Sequence, residues 1–118
     1  MRKLSLILPT YNEAKNLKIL IPRLEEVLRR KFELEIIVVD DGSPDGTAEI
    51  AGNVGKKYGN IRIVQRQRKE GLGSALRCGY DSARGRIIGS IDADLSFDEK
   101  KILEAVEKLG EGFDMVVG

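Results

Sequence analysis

The sequence contains no histidine, one cysteine and few aromatic residues, 5% of its 118 positions. Without imidazole there is no histidine general base, no histidine metal ligand and no serine or cysteine triad of the usual kind, so any chemistry must use carboxylates, lysine, tyrosine or a metal. The lone Cys78 falls in an apolar helical pattern and reads as a small buried hydrophobe rather than a nucleophile. It excludes an internal disulfide framework and fits a reducing compartment. No apolar run approaches the roughly 18 residues of a membrane span, and Met1-Arg2-Lys3 leads into a strand pattern rather than a signal-peptide core. The expectation is a cytoplasmic chain, with at most peripheral contact at the cytoplasmic face of a membrane. A net charge of +1, from 20 basic and 19 acidic residues, argues against a general polyanion binder, and no nucleic-acid partner is expected. Internal repeats, linkers and low-complexity segments are also missing.

What is present is an alternation of strand and helix patterns within one domain's length, enough to bury roughly two thirds of the unfolded surface. Leu4–Leu8 is a short apolar run, followed by a helical pattern through Leu17, Leu20, Ile21, Leu24, Val27 and Leu28. Pro22 interrupts that pattern at a cost of about 3 kcal/mol in a helix interior, which places the regular helix at Ile21–Arg30 after a looser turn. Glu35–Val39 is a β-branched run suited to a central parallel strand. Helices are expected at Thr47–Lys57, Ser74–Arg84 and Glu99–Leu109, and strands at Ile61–Val64, Ile87–Asp94 and Phe113–Val117. The third strand alternates with Arg62 and reads as a half-exposed edge. Such a series predicts a three-layer α/β domain with a mostly parallel sheet in the order 3-2-1-4, its ligand crevice lying where the order reverses, at the carboxyl ends of strands one and four.

The chemistry-bearing residues converge on that crevice. The fourth strand ends in Asp92-Ala93-Asp94. If the chain stays extended there, the two carboxylates share one side, and a divalent cation with a bound diphosphate would relieve their repulsion. Asp40 and Asp41 end strand two; being adjacent they diverge, and Asp41 is assigned to the crevice, either accepting hydrogen bonds from a base or capping the turn before Gly42. Tyr11 and Glu13 follow strand one, and Tyr11 can border a base. Arg66, Arg68 and Lys69 precede a helix start that favours anions, so at least one of them is a candidate for a diphosphate. Gly71-Leu72-Gly73 fails the dinucleotide fingerprint, because Leu76 replaces the third glycine and no strand leads directly into it.

Leu8-Pro9-Thr10-Tyr11-Asn12-Glu13, the stretch Val39 to Thr47, Lys69-Glu70-Gly71-Leu72-Gly73 and Asp92-Ala93-Asp94-Leu95-Ser96 together resemble family 2 glycosyltransferases, nearest to dolichol-phosphate mannose synthases and related polyprenyl-phosphate sugar transferases. The resemblance implies the GT-A fold, a GDP- or UDP-sugar donor, Mg²⁺ or Mn²⁺, and inversion at the sugar carbon. Carried over by position, it implies that Pro9, Tyr11, Glu13, Val39 and Asp41 contact the nucleoside and that Lys69 belongs to the nucleotide-sugar site. Asp92, Ala93 and Asp94 would meet ribose, diphosphate and metal, with Asp92 and Asp94 as the metal ligands. The chain departs from the synthases at Phe97-Asp98, where they commonly have His or Pro. Residues 1–118 would form the donor-binding part, ending after strand five. The family domain continues into an acceptor half, which a polyprenyl-phosphate acceptor would need, and no catalytic base is identified within the chain. An open final strand also suggests a homo-oligomer. Two other readings are a nucleotide-binding piece without chemistry and a phosphoacceptor receiver domain, whose acidic pair would follow strand one rather than strand two.

Overall fold

The computed structural model describes residues 2–66, 71–91 and 114–117. Five strands, β1 (Arg2–Thr10), β2 (Phe32–Asp40), β3 (Ile61–Gln65), β4 (Ile87–Ile91) and β5 (Asp114–Val117), form one parallel sheet in the order β3-β2-β1-β4-β5. The expected order 3-2-1-4 is therefore present, with the fifth strand beyond the fourth. Chain direction across the sheet reverses between β1 and β4, which places the switch point beside the carboxyl end of β1.

The continuous apolar runs of β1 and β2 follow from their central position, because helices cover both faces. Leu4, Leu6, Leu8, Leu34, Ile36 and Val38 share one face and pack with the helix α1 (Ala14–Leu28) and Ala51 of α2 (Thr47–Tyr58). The intervening Ile7, Ile37 and Val39 point the other way, onto Ala75 of α3 (Leu72–Ser82). Edge strand β3 carries no fully buried residue, as its alternation with Arg62 predicts. β2 begins three residues earlier than the β-branched run suggests, since Phe32 and Leu34 are both in the core and pair with the start of β1.

The first helix corrects the expectation of a late start at Ile21: α1 is continuous from Ala14 to Leu28 with Pro22 inside it. Proline removes the bond to the Lys18 carbonyl, but Lys18 is on the exposed side where water can serve that group. Leu17, Leu20, Ile21, Leu24 and Leu28 are all at most 1% exposed, and burying them outweighs the proline penalty. The third helix starts at Leu72 and ends at Ser82, two residues before the position expected at each end. Ser82 Oγ donates to the Cys78 carbonyl at 3.1 Å and the Ser82 carbonyl accepts from Arg62 Nη2, which together close that terminus. Cys78 is half-buried beside the second core rather than enclosed by it. The helical pattern over 99–109 lies outside the described residues.

Two helix glycines owe their identity to close approach. A Cβ on Gly55 would sit 3.2 Å from Ile61 Cβ, and one on Gly79 would press into Ile7, with its Cγ1 and Cδ1 at 2.9 Å. At the amino end of the sheet, Ser5 donates to Glu35 Oε2 at 2.7 Å, and the Arg84 and Gly85 amides donate to Glu35 and Ser5. Desolvation alone would raise the Glu35 carboxyl, but these hydrogen bonds and Arg62, 2.9 Å from Oε1, hold it below the usual range.

Candidate functional site at the strand carboxyl ends

The crevice is assembled by register. Pro9 pairs with Val39 and Thr10 with Asp40, so the two strands deliver their last residues side by side. Thr10 Oγ1 donates to the Val39 carbonyl at 3.2 Å, and the Asp41 amide to the Thr10 carbonyl at 3.3 Å, which ties the ends together. On the other side of β1, Ser90 pairs with Ile7 and β4 runs on to Ile91. Asp92 follows it in sequence; Asp92, Ala93, Asp94 and Lys69 lie outside the described residues.

The two adjacent aspartates diverge, as extended geometry requires, and their roles separate. Asp40, not Asp41, caps the turn: its carboxylate accepts from the Ser43 amide at 3.4 Å and from the Ser43 hydroxyl. Asp41 faces β3. Its Oδ1 accepts from Arg66 Nε at 2.6 Å and its Oδ2 from Arg66 Nη2 at 2.8 Å, the parallel fork that matches guanidinium to carboxylate. Arg66 Nη1 donates onward to Ser74 Oγ at 2.6 Å on the first turns of α3. Thus Arg66, one of the three basic residues among which a diphosphate contact was expected, is a partner of Asp41. Asp40 pairs with Gln65, so the residue after β3 stands beside the residue after β2. Each carboxylate oxygen offers about two lone-pair directions, so Asp41 retains acceptor capacity for a further N–H.

The connection from β1 to α1 carries Tyr11, 40% exposed, then Asn12 at φ 55°, then Glu13. Glu13 precedes the helix without capping it through its own side chain; its carboxylate accepts from Asn16 Nδ2 at 2.6 Å. The connection is held by the turn after β2. The Asn12 amide donates to Ser43 Oγ at 2.9 Å, the Glu13 amide to Thr47 Oγ1 at 3.1 Å, and the Ala14 amide to Asp45 Oδ2 at 3.2 Å. Sequence reading found a helix-start signal in this turn but missed its reach to the neighbouring connection.

Pro9, Val39, Tyr11, Glu13 and Asp41 therefore stand at one end of the sheet. Among the described residues no group of three acidic or cysteine side chains could hold a metal ion, and Asp92 and Asp94 lie outside them. Two such carboxylates, with phosphate oxygens, are the hard oxygen set that Mg²⁺ or Mn²⁺ takes. A separate hollow of about 570 Å³ lies at the amino ends of the strands, lined among others by Lys3, Phe32, Glu35, Arg62 and Arg84. Ligands of open parallel sheets bind at the opposite end, and Arg62 is already paired with Glu35 there. Among the described residues no helix is long and apolar enough to cross a membrane.

The chain is 38% identical over 116 residues to the dolichol-phosphate mannosyltransferase of Pyrococcus furiosus, covering 98% of this chain and 32% of the relative. It is likewise 38% identical over 119 residues to the dodecaprenyl-phosphate galacturonate synthase of Rhizobium johnstonii, covering 98% of this chain and 35% of that protein. The chain thus spans about a third of the length of these curated relatives. Among solved structures, the mannosyltransferase PcManGT of Pyrobaculum calidifontis, in complex with GDP-Man and Mn²⁺, superposes with a TM-score of 0.82 at 27% identity, over 93% of this chain and 33% of that one. Glucosyl-3-phosphoglycerate synthase of Mycobacterium tuberculosis, in complex with Mn²⁺, UDP and glucosyl-3-phosphoglycerate, superposes with a TM-score of 0.64 at 29% identity, over 79% and 34% of the two chains. The fold is the GT-A type, and with residues 5–118 matching the model of glycosyl transferase family 2, the chain belongs to that family.

Proposed function

We propose that residues 1–118 are the donor-binding part of an inverting, metal-dependent glycosyltransferase that moves a hexose, mannose from GDP-mannose in the first instance, to a polyprenyl phosphate at the cytoplasmic face of a membrane. The observation that carries this reading is the convergence of Pro9, Tyr11, Glu13, Val39 and Asp41 at the carboxyl ends of β1 and β2, beside the sheet's switch point, in a chain related along its length to a dolichol-phosphate mannosyltransferase. Tyr11 supplies an exposed ring for the nucleoside, and Asp41, fixed by Arg66, supplies acceptor oxygens for the N–H groups of the base. Pro9 would border the base, paired with Val39, whose backbone rather than its buried side chain would meet the nucleoside, with Glu13 beside the ribose. Asp92 and Asp94 would hold the cation, Ala93 between them leaving room for the ribose and diphosphate, and Lys69 would add positive charge next to the phosphates. The cation's chemistry is to stabilise charge that develops on the departing diphosphate. An acceptor phosphate oxygen is already anionic, so transfer to it needs little from a general base, in keeping with a chain that offers no histidine.

The acceptor would be bound by sequence beyond this part, so the activity belongs to a longer protein. A receiver-type switch does not fit, since β1 ends in Pro9-Thr10 and the acidic pair follows β2. Calorimetric titration with GDP-mannose and UDP-glucose in Mn²⁺ tests the proposal: saturable binding of one of them is expected, and heats indistinguishable from dilution for both would refute it.

A further inference from the structure

Three consecutive backbone amides, those of Asn12, Glu13 and Ala14, donate to three side chains of a single turn, Ser43, Thr47 and Asp45. The acceptors are themselves anchored. Ser43 donates its hydroxyl to Asp40, and Thr47 donates its hydroxyl to Asp45 Oδ1, which also accepts from the Thr47 amide at 3.0 Å. One carboxylate therefore serves two helices, taking the first amide of α1 on Oδ2 and the first amide of α2 on Oδ1. Ordinary caps act within their own helix; here the N-cap residue of α1, Glu13, makes no side-chain cap, and the helix is capped from another connection.

We propose that Ser43, Asp45 and Thr47 form a staple that positions the donor site, with Asp45 as its central positioning residue: it holds the β1–α1 connection so that Tyr11 and Glu13 stand ready for the nucleoside. The inference rests on the donor-site reading given above. Its physical basis is pre-organisation. The connection is short and contains Asn12 in the left-handed region, and three of its consecutive amides are held by the neighbouring turn. The side chain of Thr47 is fully buried, which makes its bond to the Glu13 amide hard for water to replace. Desolvation alone would raise the Asp45 carboxyl, but its bonds from Thr47 and Ala14 outweigh this and hold it below the usual carboxylate range, so the staple keeps its charged form through mild acid.

The test compares Asp45→Ala with Ala51→Gly in the buried core of α2, a control outside the site that also destabilises the fold. Two readouts are taken: amide hydrogen exchange by NMR, and the affinity for GDP and UDP with Mn²⁺. In Asp45→Ala the amides of residues 12–14 are expected to exchange at least tenfold faster while those of Leu4–Leu8 stay protected. If the connection then holds its competent form about a tenth of the time, apparent nucleotide affinity falls about tenfold. Ala51→Gly should lose melting temperature yet keep its affinity within about twofold. Thr47→Val, which removes only the hydroxyl, gives a second variant should Asp45→Ala not fold, and is expected to free the Glu13 amide and weaken binding in the same direction. Unchanged exchange at residues 12–14 would overturn the staple. Equal affinity in Asp45→Ala and Ala51→Gly would reduce it to a stability element. If the parent itself binds neither nucleotide, the donor-site reading fails and the positioning role with it, an outcome told apart because it precedes any substitution.

Discussion

Arg66 holds Asp41 with two parallel hydrogen bonds, Nε to Oδ1 at 2.6 Å and Nη2 to Oδ2 at 2.8 Å, while its remaining terminal nitrogen reaches Ser74 at 2.6 Å. The pair is almost enclosed, with side chains 11% and 8% exposed. It joins the end of β2 to the residue after β3 and to the start of α3, so it fixes the direction of the carboxylate proposed to meet the base.

Removing one partner should therefore affect both fold and site. Arg66→Ala leaves a buried carboxylate without its counter-ion, at a cost of about 3 kcal/mol, or a melting temperature lower by on the order of 10 °C. Arg66→Lys keeps the charge but not the fork, and should lose less stability while still weakening nucleoside diphosphate binding. Asp41→Asn should blur the choice between guanine and uracil, because the amide presents a donor where only acceptors stood. Thermal melts with competition titrations of GDP against UDP check all three. An Arg66→Lys protein identical to the parent in both respects would mean that the fork has no role in the site.

Glu25 offers a pH test away from the site. Its side chain is 2% exposed on α1, both oxygens lack an aligned hydrogen bond, and Arg29 Nε stands 3.3 Å off. Asn60 beside it spends Nδ2 on the Leu34 carbonyl and leaves Oδ1 unsatisfied. Burial pushes the Glu25 carboxyl above its ordinary value, against smaller opposing effects of Asn60 and Arg29. A carboxyl raised on folding contributes stability that is complete below its unfolded pKa and is lost as pH rises through the folded one. Glu25→Gln should thus gain on the parent as pH rises from 4 to 8, because only the parent has a buried carboxyl to ionise over that range. A difference in melting temperature that stays flat over that range would contradict it.

Gly79 tests the second core. Exchanging glycine for alanine in a helix gains up to about 1 kcal/mol of propensity, but the new methyl would press into Ile7 at the centre of β1. Overpacking of that kind costs about 1–3 kcal/mol, so Gly79→Ala should be destabilising on balance. Ile7→Ala removes the obstructing atoms, and the double variant should melt above Ile7→Ala alone. If the two losses simply add, α3 does not approach β1 as closely as described.

Much of this was written in the sequence, for reasons that differ by level. The apolar runs Leu4–Leu8 and Glu35–Val39 identified the central strands because parallel strands covered on both faces need no alternation, and Arg62 marked the edge because only an edge tolerates it. Pro22 misled, since a local penalty of about 3 kcal/mol was weighed without the buried Leu17, Leu20, Ile21, Leu24 and Leu28 that share its helix. Asp40 and Asp41 were known to diverge, but Ser43 lies within local reach of both, and what turned Asp41 away from the cap was Arg66, a partner that only the three-dimensional register brings near. The amides of residues 12–14 were invisible for the same reason: their acceptors lie about thirty residues away in sequence.

The last prediction concerns the donor site as a whole. Pro9, Tyr11, Glu13, Val39 and Asp41 occupy one end of the sheet, and Asp92 and Asp94 follow β4 in sequence, so nucleoside diphosphate binding should be a property of these 118 residues alone. Ligand at 100 times its dissociation constant stabilises the folded state by about 2.7 kcal/mol. For a domain of this size that is a melting shift on the order of 10 °C. With Mn²⁺ present, GDP or UDP should produce such a shift and adenine nucleotides a smaller one. Asp94→Asn keeps the shape of the side chain but removes the charge that would hold the cation, and should abolish most of the metal-dependent part while leaving the metal-free melt near the parent's. That difference separates a lost ligand from a lost fold. If saturating GDP and UDP both leave melting unchanged, or if Asp94→Asn responds to Mn²⁺ as the parent does, the cation is not held between the end of β4 and the nucleotide.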